Sequence, residues 1–260
     1  MISIDPEVFS IGPLHIRWYG IMAAVGLVCT YWLMSRRAKR YNMTVNDVSD
    51  MVFWAMLAAI AGARTLYVIR FWDEEFAARS FLSVFKINEG GLVFFGGFAG
   101  AAIAIVVLSL IRKWELWRAA DLIAPALALG HAFGRLGCLL NGCCHGFDYS
   151  GPLAFKYMHT ANGTFPLQLC SSIGNILICI FLLWLEKKER CKNRLFLAYM
   201  VLYNVGRFLI EFGRGDYPKE QLLCGLTPAQ ITCLWLLPCV IAVYLIVFFV
   251  SKRRDAKGAK

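Results

Sequence analysis

Apolar stretches long enough to cross a bilayer recur along this chain, and that recurrence limits the fold more than any single motif does. A helix needs about 20 predominantly apolar residues to span a hydrocarbon core. Such stretches read as helices over about 18–34, 50–69, 91–111, 119–140, 167–185, 195–212 and 228–250. The expected fold class is therefore all-α: a polytopic membrane helix bundle of about seven transmembrane helices. Composition points the same way. The chain is 59% hydrophobic and only 17% charged, against roughly a quarter charged in soluble domains. A soluble chain of 260 residues would need more polar surface than this one can supply. The first residues, MISIDPEVFSIGPLHI, lack the basic and apolar regions of a signal peptide, so the first apolar block is expected to stay as a helix. No fixed-period repeat or low-complexity segment divides the chain, and residues 1–260 read as one integral membrane domain.

The basic residues sit between the apolar blocks. Roughly 17 of the 27 Lys and Arg lie in one set of loops: Arg36 to Arg40, Arg112 to Arg118, Lys187 to Arg194, and the tail from Lys252. The positive-inside bias makes that set cytoplasmic. It puts the N-terminus outside and the C-terminus inside, with irregular segments at about 71–90, 141–166 and 213–227 facing outward. The net charge of +10 is explained by this bias, and no nucleic-acid partner is expected.

Several ionisable side chains break the apolar helices. An embedded charge costs several kcal/mol and persists when it is paired, solvated or used. Arg64 lies in the second helix, His131 and Arg135 in the fourth, and Arg207 and Glu211 in the sixth. His131 and Arg135 are four apart, as are Tyr203, Arg207 and Glu211, so each set shares a helix face. One reading is an Arg207–Glu211 ion pair that satisfies itself and braces the bundle. That reading leaves Arg64 and Arg135 without an acidic neighbour on their own helices. Surplus buried guanidinium suits an anion, and a lipid phosphate is the anion available at that depth; the planar fork of Arg can donate to it twice.

The segment Gly134 to Gly146, GRLGCLLNGCCHG, is a second signal. Four glycines beside Arg135 and Asn141 suggest irregular backbone lining a cavity; a glycine helix cap would account for Gly142 or Gly146 alone. Cys138, Cys143 and Cys144 cluster in this segment. Their spacing is unlike paired CxxC zinc motifs, and a disulfide on the outer side, packing or substrate contact are the other readings.

Taken together, these segments resemble the prolipoprotein diacylglyceryl transferase family. The resemblance runs through His15-Ile16-Arg17-Trp18-Tyr19-Gly20, Gly90 to Gly97, Gly134-Arg135-Leu136-Gly137 through Asn141 to Gly146, and Pro166-Leu167-Gln168-Leu169. It continues through Tyr203, Arg207, Phe208, Glu211, Phe212 and Arg214 to Leu226-Thr227-Pro228-Ala229-Gln230. It implies a bacterial inner-membrane enzyme that moves a diacylglyceryl group from phosphatidylglycerol to the lipobox cysteine thiol of a prolipoprotein, releasing glycerol phosphate. It implies that Arg135 binds the lipid phosphate, that Arg207 stabilises leaving-group charge with Glu211 orienting it, and that Tyr19, Asn141 and Gly146 line the lipid site. Tyr203 and Arg64 join them as candidate substrate-binding residues. No metal or cofactor is expected, and a monomer is.

Three positions depart from the family pattern. Phe95 stands where the family has a His favoured as base for the incoming thiol, and Cys138 and Cys143 replace an Asn and an acidic residue. A free thiol has a pKa near 8.5, so some help in forming a thiolate is expected, and His131 and His145 are the candidate substitutes. A relative with altered or lost activity, an anion or lipid transporter, and a redox protein using the outer cysteines are the alternative functions.

Overall fold

The computed structural model describes residues 2–3, 5–11, 14–77, 81–86, 90–157, 160, 162–188, 194–216 and 225–258. Parts of the three expected outer segments (78–80, 87–89, 158–159, 161 and 217–224) lie outside the described residues, as does 189–193 of the charged run. Among the described residues there are seven α-helices: α1 (Trp18–Arg37), α2 (Val45–Arg70), α3 (Phe94–Ile111), α4 (Leu116–Asn141), α5 (Leu167–Lys187), α6 (Leu195–Glu211) and α7 (Pro228–Gly258). Six are long and apolar enough to cross a membrane; α6, with 17 residues, is shorter. Two short strand pairs accompany them. β1 (Ile2–Ser3) runs parallel to β4 (Phe155–Lys156), and β2 (Glu7–Ile11) forms an antiparallel pair with β3 (Leu14–Arg17).

Local signals set the ends. α2 begins five residues before its apolar block because Thr44 and Asp47 form a capping box. α3 begins after Gly90 and Gly91, both at positive φ. α4 ends in a Schellman turn: Cys143 N–H donates to Cys138 O (3.2 Å), Gly142 N–H to Leu139 O (3.3 Å), and Gly142 takes φ +77°. The glycine at 142 is thus a helix cap.

The chain forms two compact units. Met34–Ala119 makes one, built on α2 packed along α3. Gly62, Gly96 and Gly100 let these backbones touch: a Cβ on Gly62 would collide with the Gly96 carbonyl, and one on Gly100 with the Ala58 carbonyl. Close packing of small residues replaces the hydrophobic effect where the solvent is lipid.

Met1–Leu33 with Ala120–Lys260 makes the other. Its centre is α4, whose Ala124, Ala126, Ala128 and Ala132 are buried. Thr30 Oγ1 on α1 donates to Ala126 O (3.1 Å), and Ser172 Oγ on α5 donates to Ala132 O (3.0 Å). Asp121 on α4 accepts from the Phe196 N–H (2.9 Å) and so caps α6, whose own N-cap, Arg194, makes no side-chain cap.

The polarity is inverted relative to a soluble fold. Gln168, Ser172, Asn175, Asn204, Glu211 and Gln230 are buried, whereas Leu110 and Trp235 are 75% and 78% exposed. Water would penalise that arrangement and lipid favours it.

Candidate active site

The sequence-designated residues separate by unit. Arg64 lies in the α2–α3 unit and is buried. Its Nε donates to Val84 O (2.7 Å), NH2 to Ser83 O (2.9 Å), and NH1 to Gly90 O (2.8 Å) and Gly91 O (3.2 Å). The rings of Tyr67 and Phe76 flank it at 5.5 and 5.3 Å. The guanidinium donates to four backbone carbonyls and so ties Ser83, Val84, Gly90 and Gly91 to α2. Arg64, expected among the lipid-binding residues, is held by these backbone acceptors. Phe95, on the first turn of α3, is 63% exposed.

The other candidates share the second unit. Glu211, at the end of α6, is 2% exposed. Its Oε2 lies 2.7 Å from Arg207 NH1, and its Oε1 accepts from Thr227 Oγ1 (3.1 Å) with Arg214 NH1 at 3.5 Å. Arg214 makes a two-pronged bond to Asp216, at 2.7 and 2.6 Å. These partners hold its guanidinium cationic well above the usual range, Asp216 first, against the effect of burial.

Thr227 also belongs to a capping box: Gln230 N–H donates to Thr227 Oγ1 (3.3 Å), and Thr227 N–H to Gln230 Oε1 (3.0 Å). Pro228 occupies the first helical position, where a missing N–H is harmless. The cap of α7 is therefore joined to the carboxylate that holds Arg207. Thr227 was not among the sequence candidates, although the pattern Thr-Pro-x-Gln marks the cap.

Arg135, on α4, faces the Tyr203 hydroxyl and the sulfurs of Cys138 and Cys144. Among the described residues no carboxylate pairs with it. One turn earlier, His131 Nδ1 lies 2.7 Å from the Tyr199 hydroxyl, and its ring packs 5.0 Å from that of Tyr203. Tyr203 thus links the two faces read from the sequence. Tyr203 and Arg207 also line a crevice of about 40 Å³ between α5 and α6, with Ser171 and Asn175 opposite.

At the end of α4, Asn141 Nδ2 reaches Cys143 Sγ at 3.9 Å, and Gln168 Nε2 donates to Cys143 O (2.8 Å). Tyr19 packs on Gly137, with its phenol near the cysteines and Arg135. Gly146 lies where three backbone segments meet. Its N–H donates to Phe165 O (3.0 Å), it bridges Arg214, and a Cβ there would press on Phe165 O and Gly213 O. His145 stacks on Tyr157, whose phenol burial pushes up to about 12. The Cys144 thiol is pulled down from the ordinary range, first by hydrogen bonding from Cys138 and Cys143 and then by Arg214 and Arg135.

Comparison with known proteins matches residues 6–248 to the family model described as prolipoprotein diacylglyceryl transferase. The phosphatidylglycerol–prolipoprotein diacylglyceryl transferase of Oceanobacillus iheyensis is 36% identical over 229 residues, covering 82% of this chain and 78% of that protein. One from Geobacillus kaustophilus is 31% identical over 269 residues, covering 98% and 94%. A relative from Clostridium perfringens, the second so named there, is 32% identical over 208 residues, covering 78% and 80%.

Proposed function

Because the chain belongs to the prolipoprotein diacylglyceryl transferase family, we propose that Arg135 and Arg207 divide the handling of a lipid phosphate between them. The protein is a multi-pass membrane transferase that moves the diacylglyceryl group of phosphatidylglycerol to prolipoproteins. In the proposed step the thiolate of the lipobox cysteine attacks the glycerol carbon bearing the phosphate. A C–S bond forms, the C–O bond breaks, and glycerol phosphate leaves with the electron pair. The charge that grows is on the leaving phosphate, and fixed donors in a dry site stabilise it best.

One observation carries the assignment. Arg64, Arg207 and Arg214 each have protein acceptors, whereas Arg135 has the Tyr203 hydroxyl and no carboxylate among the described residues. An uncompensated guanidinium at that depth suits an anionic ligand. Arg135 binds the phosphate. Arg207, held by Glu211, meets the charge that develops on departure. Tyr19, Asn141, Gly146 and Tyr203 line the lipid site.

His131 takes the proton of the incoming thiol. For that role the imidazole donates its Nδ1–H to the Tyr199 oxygen, which leaves Nε2 as the accepting atom.

The loop charges support an outside N-terminus and a cytoplasmic C-terminus, with α6 as the seventh crossing in a bacterial inner membrane. The family match over most of the chain supports one integral membrane domain. The assigned site residues lie in one unit of one chain, which supports a monomer as the working species; no nucleic acid takes part.

The test is reconstitution with phosphatidylglycerol and a lipobox peptide, with thioether formation read by mass. Arg135→Ala and Arg207→Ala each lower the rate by about 10²–10³, the cost of removing one preorganised charge donor. Normal rates in both variants would overturn the assignment.

A further inference from the structure

The reaction scheme leaves three sulfurs without a use. Cys138 lies on the last turn of α4, and Cys143 and Cys144 follow its cap. Among the described residues, these form the group of three potential metal-ligating side chains whose ligand atoms come together, all within 4.8 Å of one another. All three are free thiols, neither fully buried nor exposed.

The convergence is a product of the turn. On a continuous helix, residues five apart point about 140° from each other. The Schellman turn at Gly142 reverses the chain and brings Cys143 N–H to within 3.2 Å of Cys138 O. Cys144 then adopts a φ of +60°, a region that side-chain-bearing residues rarely enter, and its sulfur joins the other two. A cluster held by a disfavoured backbone conformation is unlike a chance grouping of small apolar side chains.

The distances allow a shared cation. Three sulfurs at about 2.3 Å around a tetrahedral zinc ion lie about 3.8 Å apart, so each pair must close by at most about 1 Å. A disulfide would need one pair to reach about 2.05 Å and would leave the third thiol over. One neighbour is placed to support a bound sulfur. Asn141 Nδ2 points at Cys143 Sγ from 3.9 Å, the type of N–H donor that supports a metal-bound sulfur.

We propose that Cys138, Cys143 and Cys144 form a three-thiolate site for a soft divalent cation of the zinc class. Binding joins one M²⁺ to three thiols, forms three metal–sulfur bonds and releases three protons, with no change in oxidation state. The fourth position stays open to water or another donor. The site goes beyond the transfer reaction, and its test does not depend on lipid turnover.

The experiment uses the full chain, purified in detergent under anaerobic reducing conditions, with Co²⁺ as the optical probe and Zn²⁺ as competitor. One equivalent of Co²⁺ should bring up sulfur-to-cobalt charge-transfer absorption, which Zn²⁺ abolishes, and Zn²⁺ should raise the Tm. Cys138→Ser, Cys143→Ser and Cys144→Ser should each weaken Zn²⁺ binding at least about tenfold and remove the Tm shift while the metal-free Tm stays near that of the parent. Cys170→Ser and Cys239→Ser, at exposed positions, should change neither. Absence of the charge-transfer band in protein whose thiols titrate as free would overturn the proposal. So would a band that survives all three substitutions. Protein isolated without reductant as a species lighter by two hydrogens, with a bridge mapped among these residues, would overturn it in favour of a disulfide.

Discussion

Removing Arg207 and then removing its partner separates two roles that a single substitution confounds. In Arg207→Ala the Glu211 carboxylate, with its side chain wholly buried, loses the cation at 2.7 Å and keeps Arg214 at 3.5 Å and the Thr227 hydroxyl at 3.1 Å. At an effective dielectric of 20 the gross attractions at those two distances are about 6 and 5 kcal/mol, so Arg214 retains a large share. Breaking a buried pair costs about 3–5 kcal/mol. With Arg214 in place, and Arg207 itself 16% exposed, the expected loss lies near 3 kcal/mol. The double variant Arg207→Ala/Glu211→Gln removes the stranded charge and should recover most of that stability. Transfer should not recover, because the donor to the leaving phosphate is still missing; it stays about 10²–10³ below the parent. The readouts are thermal unfolding in detergent and thioether formation from phosphatidylglycerol and a lipobox peptide. If the double variant regained a rate within a few-fold of the parent, Arg207 would be a brace for Glu211 and nothing more.

Four further outcomes follow from the same geometry. Arg135→Lys keeps the charge but loses the two-pronged donor, and should lower kcat/KM at least about tenfold, or about 1.4 kcal/mol, mainly through KM for the lipid; an unchanged KM would contradict phosphate binding. His131→Gln should lower kcat and abolish the acidic limb of the pH–rate profile, where protonation of the imidazole removes the base; a persisting limb would assign the base elsewhere. Arg64→Gln strips donors from four carbonyls of residues 83–91 and should destabilise by about 3 kcal/mol, with faster amide exchange around 81–86 and 90–93; an unchanged Tm would refute the brace. Gly142→Ala forces a Cβ into a φ of +77° and should cost about 1–2 kcal/mol, measured by thermal unfolding against Gly174→Ala on α5 as a helical control.

The helices were legible because their cause is local. Bilayer thickness and the need to satisfy every backbone group act on each stretch separately, so the apolar blocks locate six candidate spans and α6 to within a few residues at most ends. The stripe Tyr203–Arg207–Glu211 and the His131–Arg135 pair were legible for the same reason, since four-residue spacing is a property of one helix. Partner choice is not local. Arg64 and Arg135 look alike in sequence, each an arginine in an apolar helix without an acidic neighbour. Only the tertiary structure distinguishes them, because the carbonyls of Ser83, Val84, Gly90 and Gly91 engage Arg64 while Arg135 meets Tyr203 from another helix. Asp121 capping α6 and Thr227 clasping Glu211 join residues 75 and 16 positions apart. The sulfurs of Cys138, Cys143 and Cys144 converge only once Gly142 turns the chain. The sequence by itself determined what enters the membrane and which helix face is polar. The tertiary structure decided which charges meet carboxylates or carbonyls of the protein and which do not, because that depends on groups brought together by folding.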